Sequence, residues 1–157
     1  MYQSPSHLPE QARSKITETL NRRLADGLDL HSQIKVAHWN IKGPQFAALH
    51  PLFETFATEL AAANDEIAER AVTLGANAYG TTRHVAKTSG LPDYPQDTTR
   101  DLEHLRLLAE RFEKYLSGLR ESRNVAEEHR DADSVDLLTR VVVSFEKHAW
   151  FLRASLA

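Results

Sequence analysis

Residues 46–74 read FAALHPLFETFATELAAANDEIAERAVTL, without a glycine and with one proline, Pro51, near the start, where a first helical turn tolerates it. Phe46, Phe53, Leu60, Ile67 and Leu74 recur every seventh position. With His50 set at ~0° on a helical wheel, they form a stripe from about −120° to about −40°. That stripe is the expected core face. On the same wheel Glu54 falls near ~40°, Asp65 near ~60° and Glu69 near ~100°, so His50 and three carboxylates share another side. The rest of that side is small and carries no Lys or Arg: Ala47, Thr58, Ala61, Ala62, Ala68 and Val72. Small residues allow close helix approach, so this side is expected to be an interface. Glu59, Glu66 and Arg70 occupy a third side and are expected to be solvated.

The flanking sequence repeats the helical signature. Residues 13–41 hold one glycine and no proline, with Ile16, Leu20, Leu24, Leu28, His31, Ile34 and His38 at helical spacing. Gly43-Pro44 breaks the pattern. Residues 75–97 contain Gly75, Gly80, Gly90, Pro92 and Pro95 and read as a long connection with one short helical piece at Thr82–Lys87. Residues 98–130 form a charge-rich helical pattern built on Leu102, Leu105, Leu108, Phe112, Tyr115 and Leu119, and residues 134–155 form a fourth. The intervening Asp131-Ala132-Asp133-Ser134 supplies an N-cap, a role that falls to Asp133. Residues 1–12, with two prolines and no Lys or Arg, read as a short tail. Nowhere is there useful β-type alternation or a repeat. The expectation is an all-α single domain over residues 1–157. Four long helices with short, long and short links give a ferritin-like four-helix bundle, whose long crossover contains a short helix.

Composition removes other classes. The chain has 157 residues, 41% hydrophobic and 26% charged, enough for one well-packed domain. With no Cys there is no disulfide framework, thiolate zinc site, iron–sulfur cluster or cysteine nucleophile. No apolar run approaches the ~18 residues of a membrane span, and the N-terminus lacks a secretory pattern. A cytoplasmic protein is expected. A net charge of −3 argues against a nucleic-acid binder built on clustered Lys and Arg.

Di-iron bundles commonly carry Glu-x-x-His pairs on inward faces, and this chain has none. Asp101-x-x-His104 is the nearest imitation, alone in a Leu-rich amphipathic stretch. The residue 46–74 helix offers a different arrangement. Glu54 and Asp65 are separated by ~16 Å along the axis, too far for one metal ion. A second copy of the helix, running antiparallel, closes the gap. The pairs His50/Glu69 and Glu54/Asp65 share one midpoint, between residues 59 and 60. A twofold axis there sets His50 opposite the second copy's Glu69 and Glu54 opposite its Asp65, generating two identical sites. Each gathers one His and three carboxylates, with His38 of the first helix as a further candidate. His38 also reads as a packed residue at a helix C-terminus, where the dipole favours it. Mixed imidazole and carboxylate donors suit iron, zinc or manganese.

The segment Ala37-His38-Trp39-Asn40-Ile41-Lys42-Gly43, followed by Phe46, His50, Glu54 and Asp65-Glu66-Ile67-Ala68-Glu69-Arg70-Ala71, resembles the Dps family of mini-ferritins. The resemblance continues through Gly75, Ala78-Tyr79-Gly80, Leu91-Pro92-Asp93-Tyr94-Pro95 and Trp150-Phe151-Leu152. It implies a dodecameric shell built from twofold dimers, with ferroxidase centres shared between two subunits. His38, His50 and Glu54 would come from one subunit, Asp65 and Glu69 from the other. The family commonly has Asp where this chain has Glu54, which reaches one methylene further. The implied reaction oxidises Fe(II) to Fe(III), preferring hydrogen peroxide to dioxygen, and stores ferric mineral. Zinc fits the same ligands. Trp39 matches a family tryptophan beside the site, proposed there to intercept radicals; it also reads as a core anchor.

Asp131, Asp136 and Glu128 match a region that lines iron-admitting pores in the family; they also read as helix-capping residues. Some members bind DNA through basic tails, which residues 1–12 and the C-terminus do not provide; twelve copies at −3 each would carry a formal −36. Arg13, Lys15, Arg22 and Arg23 read as a solvated helix face. The alternative to an iron-storing shell is a nucleoid-associated shell that protects DNA, with weak or zinc-occupied centres. His7, His31, His84, His104, His129 and His148 read as structural or exposed.

Overall fold

The computed structural model describes residues 3–157. Its helices are α1 (Glu10–Asn40), α2 (Phe46–Thr73), the short α3 (Thr82–Thr88), α4 (Asp101–Glu128) and α5 (Ala132–Leu156). Among the described residues the only strand-like feature is an isolated bridge between Lys42 and Arg100, and no helix is long and apolar enough to cross a membrane. The fold is an all-α four-helix bundle. The first helix begins three residues earlier than periodicity suggests, because Pro9 sits just before it and its carbonyl accepts the Arg13 N–H. The tail is therefore shorter than residues 1–12, and residues 1–2 lie outside the described part.

The Lys42–Arg100 bridge fixes the connectivity. The Lys42 N–H donates to Thr99 O and the Asp101 N–H donates to Lys42 O, which joins the α1–α2 turn to the start of α4. The crossover therefore brings the chain back to the end where α2 began, so α2 and α4 run parallel and each short link makes an antiparallel neighbour. Gly43 makes the junction possible: its φ is +132°, and a Cβ there would lie 2.5 Å from Asp101 Oδ2. That carboxylate accepts the Gln45 N–H at 2.9 Å, which holds its pKa below the ordinary 3.8.

The core forms where the apolar stripes meet. Phe53, Phe56, Leu60 and Ile67 of α2, with Leu74 just past its end, are fully buried with Ile16, Leu20, Leu30 and Ile34 of α1 and Phe112, Tyr115 and Phe145 of α4 and α5. Phe46, the first member of the α2 stripe, is 46% exposed. It sits in the first helical turn, where the stripe runs past the end of the core. The crossover is tied down by polar bonds. Asp26 accepts the Gly90 N–H at 2.8 Å, and Arg111, 3% exposed, donates to Asp93 O and Gln33 Oε1 at 2.6 Å.

Candidate metal centre

The antiparallel packing of α1 on α2 brings His38, His50 and Glu54 together at the end of the bundle beside the α1–α2 turn. The two imidazole rings stack, with centroids 3.8 Å apart and planes 17° from parallel. Their bonding is reciprocal: His38 Nδ1 donates to His50 O at 2.7 Å, and His50 Nδ1 donates to His38 O at 2.9 Å. A carbonyl only accepts, so each Nδ1 carries a proton, and Nε2 is the ring nitrogen left to face a ligand. Outer bonds of this kind orient imidazoles for metal ligation. His38 Nε2 lies 3.4 Å from Glu54 Oε2.

Lys35, one turn before His38 on the same side of α1, forms an ion pair with Glu54. This bond, with the nearby imidazoles, holds the Glu54 carboxyl below its ordinary 4.5. Lys35 stands outside the ligand pattern read from the sequence; its three-residue spacing from His38 was the available signal. A cation on Glu54 shows that the carboxylate is placed to accept positive charge.

Asp65 and Glu69 lie on the same side of α2 as His50, exposed and further along the helix. Within one chain they do not approach the histidines. Among the described residues, no three His, Cys, Asp or Glu side chains converge closely enough to hold a metal ion. Asp65 instead lines a mainly apolar cavity of about 360 Å³ with Leu24, Leu28, His31, Asn64 and Ala68. Burial, then the Lys35 charge, pushes the His31 pKa below 6.5.

Several other expectations change. Trp39 is 67% exposed and anchors no core within the chain; Lys35 Nζ stands 5.7 Å from its ring centroid. Asp131 is not a solvent-facing pore residue. It is buried, caps α5 by accepting the Ser134 N–H, and pairs with Arg70 of α2 at 2.7 Å. Asp133, expected to cap, instead occupies the first turn of α5 and is exposed. Asp136 is exposed and paired with Arg140, and Glu128 is exposed. Arg70 is thus not solvated, and neither is Arg13, which donates to Leu74 O at the end of α2, nor Arg23, which pairs with Asp26. His104 is fully buried and bonds Tyr94 Oη at 2.6 Å, while Asp101 caps the Gln45 turn, so Asp101-x-x-His104 forms no site.

Residues 17–157 match the family model of the ferritin-like domain. The "DNA protection during starvation protein" of Agrobacterium fabrum is 38% identical over 153 residues, covering 98% of this chain and 94% of that protein. The chain belongs to the Dps family of ferritin-like proteins. Solved Dps structures agree in fold. The Dps protein of Vibrio cholerae, described as a member of the ferritin-like diiron-carboxylate superfamily, superposes with a TM-score of 0.94 at 27% identity, over 100% of this chain and 98% of that one. DpsC of Streptomyces coelicolor gives 0.94 at 33% identity, over 99% and 91%. Membership of the Dps family places the chain among the mini-ferritins.

Proposed function

We propose that this protein is a ferroxidase mini-ferritin, which oxidises Fe(II) at centres shared by two subunits and stores the ferric product in a dodecameric shell. The observation that carries this reading is the His38–His50–Glu54 cluster. There the two imidazoles stack and His38 Nε2 lies 3.4 Å from Glu54, short of a complete ligand set within one chain, while Asp65 and Glu69 stand at positions mirrored along α2. A second copy of α2 running antiparallel supplies them. Exposed apolar residues support the pairing. Phe46 and Val72, 46% and 41% exposed, lie near opposite ends of α2, within one residue of mirrored positions, and Trp39, 67% exposed, lies in the last turn of α1, the end that leads into the α1–α2 turn. Val143 and Trp150, both 61% exposed, form a separate apolar patch on α5. A closed shell needs more than one contact surface, and this patch is available for the second.

Fe(II) enters as substrate. Its binding exchanges the Lys35 ammonium on Glu54 for the metal ion, while the backbone carbonyls hold both imidazole planes in place. Two Fe(II) ions give one electron each; hydrogen peroxide accepts both, its O–O bond breaks, and two protons complete two waters. Pairing the electrons avoids the hydroxyl radical of one-electron reduction. Stopped-flow absorbance of metal-free protein with a few Fe(II) per chain, under peroxide or dioxygen, tests the reading. Fast, peroxide-preferring oxidation that Asp65→Asn/Glu69→Gln abolishes is expected. Oxidation no faster than in buffer, or unchanged in the variant, overturns it.

A further inference from the structure

The side of α2 turned away from His50 carries a second imidazole–carboxylate pair. His148 of α5 places Nε2 2.5 Å from Glu59 Oε2, and Ser144, one turn earlier on α5, donates its hydroxyl to the same oxygen at 3.3 Å. The His148 side chain is 5% exposed and the Glu59 side chain 46%. The imidazole is wedged among aromatic rings, with centroids at 4.6 Å to Phe56, 5.2 Å to Phe145 and 6.3 Å to Phe151. This packing fixes one ring orientation and points Nε2 at the half-exposed carboxylate. Among the described residues, Glu59 makes no ion pair with Lys or Arg, whereas Glu54, Glu66, Glu113 and Glu146 each do.

The buried edge of His148 decides what the exposed edge requires. Nδ1 is buried and has no hydrogen-bond partner. Aromatic faces accept an N–H weakly and offer nothing to a lone pair, so Nδ1 is better carried protonated. The Nε2 lone pair then faces the Glu59 carboxylate at 2.5 Å, and the two need a cation between them. A proton meets that need at this separation; a borderline divalent metal ion, for which imidazole nitrogen and carboxylate oxygen are matched donors, meets it when the half-exposed Glu59 side chain swings outward, since two metal bonds of about 2.1 Å do not fit within the hydrogen-bonded distance. The exposure of Glu59 gives such an ion a route in and room for water ligands, and Ser144 supplies a third donor.

We propose that Glu59, His148 and Ser144 form a second divalent-metal site, for ions of the Fe(II) and Zn(II) class. It is separate from the His38–His50–Glu54 cluster and stands whether or not that cluster is a ferroxidase centre. The test uses the full chain with the first cluster disabled by His50→Ala/Asp65→Asn/Glu69→Gln, titrated with Co(II) by equilibrium dialysis and visible absorption. Adding Glu59→Gln, which keeps the shape and a hydrogen-bond acceptor for His148, is expected to remove one bound Co(II) per chain. Adding His148→Phe, which suits the surrounding phenyl rings, is expected to do the same with helical circular dichroism intact. Equal Co(II) stoichiometry with and without Glu59→Gln overturns the proposal. So does a lower melting temperature in the His148→Phe variant without loss of Co(II), since the pair is then an ion pair only.

Discussion

Replacing Asp131 by Ala should be among the most damaging single changes outside the hydrophobic core, and a second substitution should partly repair it. Asp131 is 3% exposed and serves two masters. Its Oδ1 accepts the Ser134 N–H at 3.3 Å as the cap of α5 and takes the Arg70 guanidinium at 2.7 Å. Loss of an N-cap costs about 1 kcal/mol. Breaking a buried pair by removing one partner costs about 3–5 kcal/mol. That figure shrinks here to about 2 kcal/mol, because Arg70 is 17% exposed and keeps Asp133 at 3.9 Å. The sum, about 3 kcal/mol, lowers Tm by roughly 6–12 °C for a domain of this size. Melting is followed by circular dichroism at one fixed protein concentration, because assembly adds its own stability. Asp131→Asn keeps a cap oxygen and should lose about 1 kcal/mol less. Arg70→Met/Asp131→Ala removes the orphaned charge as well and should melt above Asp131→Ala alone. A double variant no more stable than the single one refutes the reasoning, since no uncompensated guanidinium would then have been responsible.

Other expectations follow from single contacts. Lys35→Met frees Glu54 of a competing cation and should tighten Co(II) or Zn(II) binding at the first cluster by about two- to fivefold at low salt, with less gain at high salt; weaker binding in a competition titration would mean that Lys35 helps to hold the site. Arg130 ends α4 with φ 58°, a conformation that favours glycine, so Arg130→Gly should raise stability by about 0.5–1 kcal/mol in thermal melts. Burial raises the Asp131 carboxyl, but bonds from Ser134 and Arg70 outweigh it and leave the pKa below 3.8. A carboxyl lowered on folding stabilises fully above its unfolded pKa and loses that contribution as pH falls through the folded one, so Tm should drop below about pH 4, less steeply in Asp131→Asn. With a net charge of −3 per chain, duplex DNA should show no mobility shift at physiological salt.

The architecture was legible because its signals are local. Gly43-Pro44, the glycine- and proline-rich residues 75–97 and the Asp131–Ser134 turn each interrupt a 3.6-residue rhythm, and the helices of the structure lie between them. The facing of α2 was legible for the same reason: seven-residue spacing separates Phe53, Leu60 and Ile67 from His50, Glu54, Asp65 and Glu69 without knowledge of any neighbour. The periodicity of one helix does not reveal which charged residue meets which on another. Arg70 looked solvated, and Glu59, which is exposed, looked unpartnered, because their own helix gives them a polar side. That side packs along α5, which answers with His148, Ser134 and the Asp131 cap, partners 61 to 89 positions away in the chain. A helix that buries one side in the core and, in the proposed assembly, offers another to a second copy has only this third side left for its neighbour within the bundle. Arg70 directly follows Glu69, so the α5 cap and the last candidate ligand are held by adjacent residues of one helical turn. Loosening the Asp131 clamp should therefore disturb the geometry of Glu69 even though Asp131 ligates nothing.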